Sequence, residues 1–153
     1  MKLKPRWPLV LFALLVVCSA QSQIIQRPLY FGTIITTGNT IVSRIVVPRS
    51  GKPYSTHQLQ IVEDAYPSEL TLQFFPAYTE LHLTPVVPTE LRASADPLLP
   101  PFIVESLDIP LSIFTDGNGE SQLIIGATIK TTGDGRPYPD ASYTGSIDIV
   151  VNY

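Results

Sequence analysis

An all-β domain, an antiparallel sandwich or barrel of about eight strands, is the fold class this sequence predicts. From Tyr30 onward, short runs carry apolar residues at every second position. Clusters of Gly, Pro, Asn and Asp separate these runs at intervals of about 8–12 residues in most places. Past the first twenty residues, no run of useful length shows the helical spacing of about 3.6 residues.

The first twenty residues stand apart. "MKLKPRWPLVLFALLVVCSA" opens on Lys2, Lys4 and Arg6, continues through an apolar core from Leu9 to Val17, and closes on small residues ending in Ala20. That order predicts a cleaved signal peptide over 1–20, with a single domain over 21–153. The apolar run is too short for a comfortable membrane span, and none is expected once the signal is removed. Cys18 supplies a rival reading as a lipidated cysteine, although Leu15, Val16 and Val17 lack the small residue that normally precedes one. Cys18 is the chain's one cysteine, so a processed chain has no disulfide or thiol chemistry to support its fold. The formal charge of −3 becomes about −6 without the three early basic residues, which disfavours nucleic acid as a partner. Charged residues make up 15% of the chain and β-branched ones are plentiful, so disorder is not expected.

The expected elements follow in order. "LYFGTIITT" ends in a turn at Gly38-Asn39, expected to supply positive φ. "TIVSRIVV" is closed by Pro48, Gly51 and Pro53, and "HQLQIVE" is short. "SELTLQFF" places Leu70, Leu72 and Phe74 on one face. "TELHLT" places Leu81 and Leu83 opposite Glu80, His82 and Thr84. The prolines at 85, 88, 97, 100 and 101 predict a long surface loop over 84–102. "VESLDIPLSIF" aligns Leu107, Ile109, Leu111 and Ile113, with Pro110 suited to an edge or a bulge. "SQLIIGATIKTT" aligns Leu123, Ile125, Ala127 and Ile129. The sequence closes on "SYTGSIDIVVNY", whose Ile147, Ile149, Val151 and Tyr153 alternate with polar residues as in a half-buried strand.

Candidate chemistry is sparse. His57 and His82 are solitary and lack metal-site spacing, so structural roles are expected for both. No HExxH, GxSxG or phosphate-loop pattern occurs. In "TDGNGES", Asp116, Asn118 and Glu120 match the first three ligand positions of a calcium loop, but Ser121 and Ala127 stand where Gly and Glu are needed. A hairpin turn is the better account. "TTGDGRPYPD" reads in the same way. Tyr30, Phe31, Tyr54, Tyr66, Phe74, Phe75, Tyr78, Tyr138 and Tyr143 could include a sugar-stacking platform, though such residues more often pack a core. No catalytic residue, cofactor-binding residue or metal ligand is expected.

The order of "LYFGTI", "AYPSELTLQFFPAYTELHLT", "LIIGATIKT" and "YTGSIDIVVNY" resembles the bacterial secreted domain-of-unknown-function family 4402 across 28–153. The matching residues are Phe31-Gly32, Gly126, Tyr143, Gly145 and Tyr153. The resemblance implies an immunoglobulin-like or pilin-like β-sandwich of about 7–9 strands. It also implies a Gram-negative exported protein, periplasmic, on the outer-membrane surface or extracellular, with no enzymatic activity. Such a protein is similar to chaperone–usher pilins and spore-coat-U-type proteins. "QSQIIQRP" departs from a pilin extension because Ile24 and Ile25 are adjacent and Pro28 closes the run. The expectation is a non-enzymatic structural or cell-surface protein, a candidate assembly subunit, with a periplasmic chaperone or like subunits as partners through strand pairing. The alternative is a monomeric glycan-binding module, suggested by the tyrosines and the 84–102 segment. A hydrolase is a distant third, since catalytic motifs are missing.

Overall fold

The computed structural model describes residues 22–86 and 90–153. The expected leader over 1–20, with Cys18 inside it, lies outside the described residues. Among those residues the structure is all-β, with no helix. Accordingly, none of them forms a helix long and apolar enough to cross a membrane.

Thirteen short strands appear among the described residues. They are β1 (Ser22–Arg27), β2 (Ile34–Thr36), β3 (Arg44–Val47), β4 (Tyr54–Ser55), β5 (Leu59–Ile61), β6 (Ser68–Gln73) and β7 (Glu80–Val86). The rest are β8 (Glu90–Ala93), β9 (Phe102–Asp108), β10 (Ser112–Phe114), β11 (Ser121–Lys130), β12 (Tyr143–Thr144) and β13 (Asp148–Asn152). The large sheet runs β1-β6-β11-β9-β8-β12, with β3 also on β11 and β4 outside β3. A second sheet runs β10-β7-β13, and β2 pairs with β5. Every strand pairing is antiparallel.

The ten-residue β11 organises the whole. Its expected inner face, Leu123, Ile125, Ala127 and Ile129, is buried along its full length. Ser121–Ile125 pairs with β6, whereas Ala127–Lys130 pairs with both β3 and β9. The change of partner falls at Gly126. A Cβ there would lie 2.3 Å from the Val47 carbonyl oxygen and 2.7 Å from the Arg49 nitrogen, so only glycine lets the end of β3 approach this closely.

Two apolar clusters hang from this strand. The first packs Leu70, Leu72, Leu123 and Ile125 of the large sheet against Leu81 and Leu83 of the second, with Ile149 and Val151 of β13 beside them. The second joins Ile45, Val47, Phe102 and Ile129 to Leu59 and Ala65, with Ile34 and Ile61 packed against it. Two faces closing on one apolar layer make this a sandwich-like architecture. Each fully buried Leu or Ile contributes about 1.5–3 kcal/mol relative to exposure.

Several local expectations are corrected. The segment from Gln21 to Pro28, not among the expected strands, contains β1, which pairs with β6 through a bulge between Ile25 and Arg27. The adjacent isoleucines point to opposite faces: Ile24 sits opposite Thr71 and Ile25 opposite Leu70. The 84–102 loop is interrupted by β8, formed by the proline-free tetrapeptide "ELRA". Pro85 lies within β7, opposite Ile149. There β10 has already ended, so the missing N–H deprives no neighbour. Pro110 lies outside both flanking strands: "VESLDIPLSIF" divides into β9 and β10, which belong to different sheets. Leu111 is exposed as a result. Neither Gly38 nor Asn39 takes positive φ. Asn39 is instead a buried clamp. Its Nδ2 donates to Thr132 Oγ1 at 2.9 Å, to the Arg136 carbonyl at 2.9 Å and to Asp134 Oδ1 at 3.1 Å, while its Oδ1 accepts from Gly133 N at 2.8 Å.

Candidate functional site

The last strand pairs within its own chain, as Asp148–Asn152 runs beside His82–Val86 of β7. Its other edge ends the sheet order among the described residues, and so does the outer edge of β1. A strand at the end of a sheet presents one row of N–H and C=O groups without a ladder partner.

An open groove of about 440 Å³ lies between the first strand and the segment leading into the last. Leu70, Ile125, Ala127 and Leu107 line it from the large sheet. Ile25 of β1 borders it on one side and Gly145–Ile149 on the other. Ile25 is exposed although its register places it on the inward face of the sheet, so the apolar interior is uncovered here.

Tyr143 also lines the groove. Its ring meets Phe102 edge-on, with centroids 4.9 Å apart, and lies 6.1 Å from Tyr138. The Tyr138 hydroxyl is satisfied, donating to the Pro101 carbonyl at 2.8 Å and accepting from Thr132 N at 3.1 Å. The Tyr143 hydroxyl is buried with no hydrogen-bond partner among the described residues. Burial, and then the neighbouring Tyr138, push its pKa above the usual phenol value. A neutral, buried and unpaired hydroxyl suits an occupant that offers a carbonyl. In chemical terms the groove has the features that accept an extended backbone with apolar side chains at alternate positions.

The residues singled out from sequence are scattered differently. His57 lies in an exposed turn at φ +52°, and His82 faces solvent on β7, as its alternation with Leu81 and Leu83 requires. Asp116 organises its own turn: Oδ1 accepts from Asn118 N at 2.8 Å and from Glu120 N at 3.0 Å. That turn is not a hairpin within one sheet, because it carries the chain from β10 to β11 between sheets. "TTGDGRPYPD" is likewise a connection between sheet positions, held by Asn39. Among the aromatics, Tyr30 packs on Tyr66 at 5.2 Å, and the Arg27 guanidinium lies 4.8 Å from the Tyr66 ring. Phe31, Tyr138 and Tyr143 pack against the second core, Phe75 enters the first, and Tyr54 is exposed on β4. Sequence reasoning missed the groove residues Ile25, Leu107 and Ile147 as a group. Alternation identifies a face but not which stretch of that face lacks a covering strand.

No protein-family model matches this chain, and neither a curated protein nor a solved structure matches it.

Proposed function

We propose that this chain is a non-enzymatic exported structural or cell-surface protein, pilin-like in kind, that serves as a subunit of a surface assembly. Its partners in this reading are a periplasmic chaperone or like subunits, engaged by strand pairing. The observation that carries the proposal is the uncovered apolar groove between β1 and Gly145–Ile149, next to the open edge of β13. An added strand would supply backbone partners to the edge, and its alternate side chains would fill the trough. The orphan Tyr143 hydroxyl gives such a strand a polar anchor. The resemblance to a secreted bacterial family and the signal-like first twenty residues support the exported setting.

Electron microscopy of the producing cells tests the proposal. Fibres or a surface layer are expected, lost on deletion of Gly145 to Tyr153 and on Leu107→Asp, which places a charge in the groove. Cells that bear no such assembly, or assembly indifferent to Leu107→Asp, would overturn it.

A further inference from the structure

A different end of the molecule carries an independent inference. The outer face of β1, β6 and β11, together with the β10–β11 turn, encloses an open cleft of about 580 Å³. Gln26, Gln73 and Gln122 line it with planar amides, Asp116 and Glu120 with carboxylates, and Phe114 with a ring that is 66% exposed. The Gln122 side chain makes no hydrogen bond among the described residues, so its amide is available in full. Gln73 Nε2 donates to Glu120 Oε1 at 2.8 Å, tying the turn to the sheet and leaving the Gln73 carbonyl to accept. Gln26 Nε2 donates to Thr71 Oγ1 at 3.0 Å and likewise keeps its carbonyl.

Backbone strain concentrates beside this cleft. Three described non-glycine residues have positive φ, and two of them are aromatic: Phe74 at +66° and Tyr78 at +54°. A bulky side chain in this region costs about 1–2 kcal/mol and persists only where its surroundings enforce it. They do so here. Phe75 N donates to the Gly119 carbonyl, Tyr78 N to the Asp116 carbonyl, and Thr79 N to Thr115 Oγ1 at 2.8 Å. Gly119 lies so close that a Cβ would stand 1.9 Å from the Phe75 carbonyl oxygen. The strained backbone leaves Phe74 61% exposed and Tyr78 81% exposed, beside the turn that forms one wall. One exposed aromatic ring, Phe114, therefore lines a cleft rich in amides and carboxylates, and the Tyr78 ring lies against Gly117 of the turn beside it.

We infer that this cleft is a binding site for a neutral oligosaccharide. Sugars present apolar C–H faces, which pack on aromatic rings, and rims of hydroxyls, which both donate and accept. Amide carbonyls and carboxylate oxygens accept from those hydroxyls, and the Gln122 amide also donates to them. Asp116 and Glu120 make the cleft acidic, so uronates and sulfated sugars are repelled. The inference does not depend on strand pairing, because the cleft and the groove of β13 are lined by different residues.

The test is an array of neutral hexose and N-acetylhexosamine oligosaccharides, with sulfated and uronate-bearing ones beside them, probed with the full protein. Any neutral binder is then titrated against Phe114→Ala, Gln122→Ala and, as a remote aromatic control, Tyr54→Ala. The substituted side chains are exposed, so each variant is expected to fold, as a circular dichroism melt would verify. Neutral glycans should bind, with at least about a tenfold loss in Phe114→Ala and Gln122→Ala and no change in Tyr54→Ala. No neutral glycan bound, a preference for the anionic ones, or binding that survives both cleft substitutions would each overturn the inference.

Discussion

The ring of Tyr153 meets the ring of Phe75 edge-on, with centroids 5.5 Å apart and planes at 88°. Phe75 stands just beyond β6, and Tyr153 just beyond β13, so this contact pins the final strand to the corner where the chain leaves the large sheet. Val151 and Ile149 pack into the same apolar cluster on the strand itself.

Removing either ring should loosen that corner unequally. Phe75→Ala is expected to cost about 3–5 kcal/mol, because Phe75 is a buried core member. Tyr153→Ala should cost less, since Tyr153 is largely exposed. A double-mutant cycle by urea unfolding should give a coupling of about 0.5–1.5 kcal/mol. Strict additivity would show that the geometry contributes nothing.

Gly126→Ala places a methyl group against the backbone of β3. Overpacking of this kind costs about 1–3 kcal/mol, and here the obstacle is backbone rather than a side chain that can swing away. The damage should be local. Hydrogen exchange should accelerate at Ile45 and Val47, which face β11 beyond the substitution, more than at Leu70 and Leu72, which face it before. Uniform acceleration would argue that β11 opens as one piece.

Acid should weaken the fold in a defined window. Glu105 accepts from Arg44 Nε at 2.6 Å and from Lys130 Nζ at 3.2 Å, and the Arg44 hydrogen bond holds its carboxyl at about 2, below the usual 4.5. Asp134 is held at about 2, from 3.8, chiefly by the Arg136 side chain. Hydrogen bonding from the Arg49 backbone also lowers Asp108. Each folded-state pKa lies below its unfolded value, so the stabilisation is complete above about pH 5 and fades as pH falls toward 2. Thermal melts across that range should show Tm dropping, with a shallower drop in Glu105→Gln. At pH 7 the same substitution should cost no more than about 1 kcal/mol, because the pair is open to water. An unchanged slope in Glu105→Gln would remove this pair from the acid response.

The legible part of the sequence was its period. Leu123, Ile125, Ala127 and Ile129 alternate without interruption, and all four are buried as that spacing requires. The same is true of Leu81 and Leu83 around the exposed His82. Reading failed where a single residue resets the phase. Positive φ at Phe74 turns its ring outward and sends Phe75 inward, although alternation from Leu70 and Leu72 assigned the core to Phe74. β1 is hidden differently: Ile24 and Ile25 put an apolar side chain on each face in turn, and the bulge after Ile25 then shifts the register, so no alternation shows. Pro110 marks a break between sheets where a continuous strand was expected, since alternation says nothing about which sheet a strand joins. Both candidate sites depend on pairings between distant segments, such as Gln73 with Glu120 or Ile25 with Leu70, and no local pattern encodes those.

The late position of β11 has a consequence for synthesis. β3, β6 and β9 all precede it in the chain, and all three need it as a neighbour. A polypeptide emerging from its N-terminus therefore carries three strands with unfilled edges until about residue 130 has been made. Pairing of such long sequence reach is slow and leaves sticky intermediates. Until then, keeping those edges apart falls to whatever holds the nascent chain.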